Sequence, residues 1–377
     1  MRAQVLTAFN KPYTFRHDWP DPSPPEGADI LVQVSAASYC HTDAVFASGA
    51  MAPAQVPRVG CHEFAGNVHA LGPDVPAELR DKLAVGTLVG VPVRAYHPCG
   101  ECAECLDNGG DPEGYSVYCP RAGRMGISVD GGFQEYAHVD SRQVEVIPKP
   151  LTATETAPLM CAGLTVFAAL QRAQVEIGGG SLERRKIGIS GAGGGLGHLG
   201  VQFAVNMGWE HVIAIDAVDG PLKLIRYVVD ELSPSDAERV TIVDARKEAE
   251  QEIVDRLCGK ASPGFGGEKG LDAVLILPET QKAFDYAMKL LRNHGVCVTV
   301  SFPGGGFNVN AQDLIFRDIK VVGSLIGRNT QLRQMLALAA QKGIRAKSRL
   351  FPLEKLNELV DEYHKGNGGK LIIDMMG

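Results

Sequence analysis

The chain has 377 residues, 45% hydrophobic and 21% charged, which is enough for two domains with separate cores and is not the composition of a disordered or membrane protein. A net charge of −7 excludes a broad basic surface for nucleic acid or anionic lipid. No apolar run reaches the ~18 residues of a membrane span. Ala3-Gln4-Val5-Leu6 already reads as a strand, so neither signal peptide nor span is expected and the cytoplasm is the predicted compartment. Nine cysteines, four of them within 99–119, predict reduced thiols and metal binding, not a disulfide framework.

Residues 1–37 alternate apolar and polar side chains around the turns of Pro20 to Pro25, which predicts short antiparallel strands. The strand Ile30-Leu31-Val32-Gln33-Val34 leads to Cys40-His41-Thr42-Asp43, and His62-Glu63 follow. Further strands are predicted around Val68 and Val89-Gly90-Val91, with 74–83 as a surface insertion. Cys99, Cys102 and Cys105 are spaced two residues apart, and thirteen residues separate Cys105 from Cys119. That spacing is a strong signal for a structural zinc held by four thiolates. The loop before Cys119 includes Gly109-Gly110-Asp111-Pro112 and is long. Extra loop length costs about 0.5 kcal/mol in closure entropy. Structural zinc binding contributes roughly 10 kcal/mol, so the loop does not abolish the site. Residues 151–172 read as a helix, apolar at Leu159, Leu164, Phe167 and Leu170, and carry Cys161.

From Lys186 the pattern changes to alternating strands and helices, the mark of a parallel α/β domain. A strand over 186–190 runs into Gly191-Ala192-Gly193-Gly194-Gly195-Leu196-Gly197, then a helix to about Met207. A second strand, Val212 to Ile215, ends in Asp216, nineteen positions after Gly197. Strand, glycine-rich turn, helix and acidic residue together predict a dinucleotide site, with the pyrophosphate over the turn and the carboxylate on a ribose. Asp216 predicts NAD over NADP, because Ala217 follows it; Lys223 is the one nearby cation that could reach back. Strands are expected over 272–277 and 295–300, and irregular surface structure over 233–270.

Cys40, His62 and Cys161 taken singly read as buried structural residues. Together they offer a Cys-His-Cys set that leaves the fourth tetrahedral position of a zinc ion open, as a catalytic zinc needs. Thr42 places a hydroxyl beside the first donor, where it could pass a proton.

The segments Pro57-Arg58-Val59-Gly60-Cys61-His62-Glu63-Phe64-Ala65-Gly66 and Pro158-Leu159-Met160-Cys161-Ala162-Gly163-Leu164-Thr165-Val166-Phe167 resemble the zinc-dependent medium-chain alcohol dehydrogenases, especially the yeast and fungal type. The resemblance runs from about residue 5 to the C-terminus. It implies an α/β protein: a mainly β, GroES-like catalytic domain over 1–160 with a structural zinc lobe at 97–120, a Rossmann NAD-binding domain over 161–308, and a return to the catalytic domain over 309–377. It implies two zinc ions per chain and NAD as cofactors. Cys40, His62 and Cys161 would hold the catalytic zinc with Glu63 as a transient ligand; Cys99, Cys102, Cys105 and Cys119 would hold the structural one. His41, Gly191, Gly194, Gly195, Leu196, Gly197, Asp216, Val300, Ser301, Phe302 and Lys370 would contact the cofactor, Lys370 standing where the family has an arginine at the pyrophosphate. Gly131 to Ala137 and Val321 to Gly327 resemble the family's returns to the catalytic domain.

Three departures from the resemblance matter. Ala192 occupies the first glycine position of the fingerprint, as in the yeast-type enzymes. Val45 replaces the histidine that extends the proton path from the threonine in many members, which predicts slower proton release or a water route. Met51 and Arg94 replace two tryptophans that narrow the pocket of yeast-type ethanol enzymes, which predicts a primary or secondary alcohol larger than ethanol, or its carbonyl. A homo-oligomer, as a tetramer, is expected from the resemblance, with no nucleic-acid or membrane partner. Two other classes remain open at this stage: a zinc-free quinone or enone reductase of the same superfamily, and a non-catalytic relative that binds nucleotide.

Overall fold

In the computed structural model, which describes residues 1–51, 55–92, 95–107, 115–259 and 269–376, the strand Asp29–Tyr39 is buried along nearly its whole length. Its sequence, Asp-Ile-Leu-Val-Gln-Val-Ser-Ala-Ala-Ser-Tyr, lacks the strict alternation of a half-exposed strand because three partners use it. Phe64–Leu71 pairs along it antiparallel from Ile30↔Leu71 to Ala37↔Phe64. Tyr136–Asp140 pairs with its beginning, and Lys370–Asp374 with its end, the last register including Leu371↔Tyr39. Leu88–Val91 and Glu145–Val146 extend this seven-stranded sheet on one side, Ser348–Pro352 on the other. A three-stranded sheet built on Ala3–Leu6 and a short antiparallel pair, Ala95–Tyr96 with Gly123–Arg124, accompany it, with a core that includes Ile30, Val32, Phe64, Val68, Val89 and Phe133. This is the mainly β part of the chain.

A second compact unit covers Thr165–Leu325 with Gly366–Gly369; the first covers Met1–Leu164, Ile326–Lys365 and Lys370–Gly377. In the second unit six strands run parallel in the order Val240–Asp244, His211–Asp216, Lys186–Ser190, Leu271–Ile276, Leu291–Thr299, Lys320–Gly323. This is the doubly wound Rossmann order, whose ligand crevice lies where the first strand has neighbours on both sides.

Two expectations need revision. Residues 233–270 are not irregular throughout: Val240–Asp244 is the third strand of the parallel sheet and Glu250–Cys258 a helix with Ile253 and Val254 buried. Thr241 to Val243 carry the β-branched signal that the charged flanks obscure. The return segment Val321 to Gly327 begins within the sixth parallel strand, since Lys320–Gly323 pairs with Leu291–Thr299; the first unit resumes inside that segment, at Ile326, later than the expected 309. Among the described residues no single helix is long and apolar enough to cross a membrane.

Candidate active site

Strand registry places the first two donors side by side. Tyr39 ends the central strand, so Cys40 lies at its exit, and the Ala37↔Phe64 pairing carries His62 and Glu63 alongside, with Ser38 N–H donating to Glu63 C=O at 2.9 Å. Cys161 comes from the residue before the helix Ala162–Glu176, and Ala162 N–H donates to Glu63 Oε2 at 3.3 Å. The donor atoms of Cys40, His62 and Cys161 all lie within 4.8 Å of one another, and all three residues are buried.

The imidazole orientation is set by Asp43, whose role the linear sequence does not show. Its Oδ1 lies 3.0 Å from His62 Nδ1 and accepts from Cys61 N–H at 3.2 Å, while Oδ2 accepts from Cys40 N–H at 2.9 Å. Three residues into the helix His41–Ala47 and buried, Asp43 thus caps the helix and bonds Nδ1. Nε2 is thereby left for a ligand, and it is buried with no hydrogen-bond partner.

The electrostatics suit a cation. The contact with Cys161, helped by Lys370 and His62 against burial, brings the Cys40 thiol well below its usual range, and the same contact pushes Cys161 well above. Burial opposes the imidazolium of His62, but the Asp43 charge and hydrogen bond outweigh it and raise the ring's basicity. Cys40 and Cys161 sulfurs are 3.9 Å apart. The edge of a tetrahedron with zinc–sulfur bonds of about 2.3 Å is about 3.8 Å. Two sulfurs at that spacing and an orphaned, buried imidazole nitrogen fit a zinc ion with one position open.

Glu63 and Lys370 are paired with each other. Burial lifts Glu63 to about 7 against the opposing pull of Lys370, and both its oxygens are committed: Oε2 to Ala162 N–H and Oε1 to Lys370 Nζ. It does not join the donor cluster. Lys370, expected beside a pyrophosphate, is 3% exposed and donates to Glu63 and, at 2.9 Å, to Tyr39 C=O. The pairing of its strand with the central strand draws it inward. Burial disfavours its charge, but Glu63 and Cys40 outweigh that and keep it protonated. Thr42 is half-buried and His41 exposed, with His41 Nδ1 2.8 Å from Tyr363 Oη. Met51 packs on the β core, and Arg94 lies outside the described residues.

The second cluster is more open. Cys99, Cys102, Cys105 and Cys119 also bring their sulfurs within 4.8 Å of one another, with Cys99–Cys119 at 3.6 Å and Cys102–Cys119 at 3.9 Å. The Glu101 backbone N–H is the main cause that brings Cys99 down to about 6, a thiolate at neutral pH. Four sulfurs at tetrahedral spacing fit a closed zinc site. All nine cysteines are free thiols, and Cys61, buried with φ +77, directs its sulfur at the Ser38 and Glu63 carbonyls without joining either cluster.

In the parallel unit the glycine-rich turn follows the first strand as predicted. A Cβ on Gly193 would sit 2.0 Å from Pro221 C=O, and one on Gly197 2.1 Å from Gly191 C=O, so only glycine permits these close approaches. Asp216 ends the second strand; its carboxylate accepts from Gly193 N–H at 3.0 Å and from Ala217 N–H at 2.8 Å, so it also shapes the turn. Arg246 is a cation near that strand end that reading the residues after Asp216 misses. It is held by Asp244, the cross-strand partner of Asp216, at 2.8 Å and by Asp219 at 2.6 Å. Ser301 Oγ donates to Pro278 C=O, and Phe302 is exposed.

Comparison with known proteins agrees with both parts. The family model described as alcohol dehydrogenase GroES-like domain matches residues 26–150, and the zinc-binding dehydrogenase model matches 195–341. An alcohol dehydrogenase of Geobacillus stearothermophilus is 30% identical over 375 residues, covering 99% of each chain. Alcohol dehydrogenase 1 of Neurospora crassa is 30% identical over 376 residues, covering 99% of this chain and 96% of its own. Among solved structures, the alcohol dehydrogenase of the archaeon Aeropyrum pernix aligns with a TM-score of 0.82 at 25% identity, over 99% of this chain and 100% of that one. The chain belongs to the zinc-dependent medium-chain alcohol dehydrogenase family.

Proposed function

We propose that the chain is an NAD-dependent zinc alcohol dehydrogenase that interconverts a primary or secondary alcohol and its aldehyde or ketone. Cys40, His62 and Cys161 hold the catalytic zinc, and Cys99, Cys102, Cys105 and Cys119 the structural one. The reading rests above all on the buried Nε2 of His62, unpartnered beside two sulfurs 3.9 Å apart. Zinc supplies Lewis-acid polarisation of the substrate oxygen and NAD accepts or returns the hydride.

The protein's own residues do the rest. Two thiolates and a neutral imidazole offset the charge of the ion, and Asp43 keeps the imidazole in the tautomer that presents Nε2. Thr42 carries the proton to and from the reacting oxygen, and because Val45 cannot extend the path, water takes it onward. The glycine-rich turn of 191–197 and Asp216 bind the NAD pyrophosphate and adenosine ribose. Arg246 is neutralised by Asp244 and Asp219, which leaves Asp216 uncompensated against a 2′-phosphate and favours NAD.

At the positions of the tryptophans that narrow the pocket of yeast-type ethanol enzymes the chain carries Met51 and Arg94, and this replacement favours bulky, aromatic or polar alcohols. Leu314, Ile315, Phe316 and Leu325, all exposed in the second unit near its edge strand Lys320–Gly323, suit burial against another copy in a cytoplasmic homotetramer. The test is NADH formation with ethanol, benzyl alcohol and a hydroxy acid in the wild type and Arg94→Trp. Efficiency favouring benzyl alcohol or the hydroxy acid supports the reading, with ethanol gaining in Arg94→Trp. Ethanol preferred by the wild type and unchanged in Arg94→Trp overturns the pocket assignment; no NADH with any alcohol overturns the activity.

A further inference from the structure

The three donors of the open metal site come from three separated stretches of chain, and no local turn links them. Each has an immediate neighbour gripped by one buried ion pair. Lys370 Nζ donates to the carbonyl of Tyr39, the residue before Cys40, at 2.9 Å. The same ammonium pairs with Oε1 of Glu63, the residue after His62. Oε2 of Glu63 accepts from the N–H of Ala162, the residue after Cys161, at 3.3 Å. Lys370 is 3% exposed and Glu63 fully buried.

We propose that Lys370 and Glu63 form a clamp that holds Cys40, His62 and Cys161 in register, making Lys370 a positioning residue for the catalytic zinc. This rests on the zinc reading of that cluster. A buried ion pair is poor evidence of a stabilising role, since well-packed apolar side chains often serve as well for stability alone. Apolar groups could not, however, fix a carbonyl, a carboxylate and an amide N–H at set positions. One ammonium and one carboxylate do so here, and Tyr39, Glu63 and Ala162, which they tie together, are each the chain neighbour of a donor residue.

The clamp is tested by zinc release to a coloured chelator, the cluster at Cys99 to Cys119 serving as internal reference. Lys370→Met alone strands a buried carboxylate and risks unfolding, so the main variant is the neutral pair Lys370→Met with Glu63→Gln, its fold checked by circular dichroism. Release from the Cys40 site should quicken by roughly 10–100-fold, the usual effect of losing an outer partner of a metal ligand. Release from the four-cysteine site should be unchanged, and Lys370→Arg should restore the wild-type rate to within about threefold, an ~0.6 kcal/mol difference. An unchanged rate in the neutral pair, or equal quickening at both sites, overturns the clamp. A wild type with one zinc per chain, that of the four-cysteine lobe, instead overturns the zinc reading on which the clamp depends.

Discussion

The two sulfur clusters of the first unit solve the same coordination problem in opposite ways. Cys99, Cys102, Cys105 and Cys119 lie in one short stretch, with Cys99 and Cys102 partly exposed and Cys105 and Cys119 buried, and take support mainly from backbone N–H groups. Cys40, His62 and Cys161 are dispersed along the chain, fully enclosed, and supported by charged side chains: Asp43, Glu63 and Lys370. A local, four-sulfur set needs little from the fold and contributes to it. A dispersed, three-donor set exists only because the strands around Asp29–Tyr39 have paired. Closure therefore goes with stability, and the open position goes with chemistry.

Substitutions can sharpen that contrast. Cys161→Ala should cause the largest loss: removing Lewis-acid assistance worth several kcal/mol lowers alcohol-dependent NADH formation by about 10³-fold or more. Metal analysis should then find one zinc per chain, and a variant that keeps two would break the contrast. Cys105→Ser should act on stability instead, lowering the thermal midpoint by roughly ten degrees or more for a loss of several kcal/mol. Near-normal turnover of the protein that remains folded is expected; an unchanged midpoint counts against a structural metal there.

Asp43→Asn keeps the shape of the side chain but removes the charge that orients His62. Zinc affinity at the Cys40 site should fall about 10–100-fold by competition with a chelator, while the four-cysteine site keeps its affinity. The smallest effect is expected in the other unit. Asp216→Asn leaves an acceptor for Gly193 N–H but no charge, so the preference for NAD over NADP should narrow by about tenfold, ~1.4 kcal/mol. A widened preference in the ratio of kcat/KM values would contradict the role given to Asp216.

What could be read from the sequence divides along the same line. The four-cysteine spacing and the strand–glycine turn–helix–aspartate series are local, so their chemistry shows in the order of residues. The donors Cys40, His62 and Cys161 needed the family resemblance, because their meeting depends on the Ala37↔Phe64 pairing and on Ala162 bonding Glu63. Their support was not legible. Asp43 carries no role in the linear sequence until the fold brings His62 to it. The resemblance sets Lys370 at the pyrophosphate, and only the Leu371↔Tyr39 register shows its pairing with Glu63. Arg246 is likewise invisible from the residues after Asp216, because a neighbouring strand delivers it.

X-ray absorption at the zinc edge tests the central claim most directly, since it reads the atoms around both metals at once. One closed four-sulfur site and one open site of two sulfurs and an imidazole with a light fourth ligand predict an average of about three sulfurs and one nitrogen or oxygen per zinc. An average near four sulfurs with no imidazole signature would mean that the Cys40, His62 and Cys161 cluster holds no zinc, and would contradict the account.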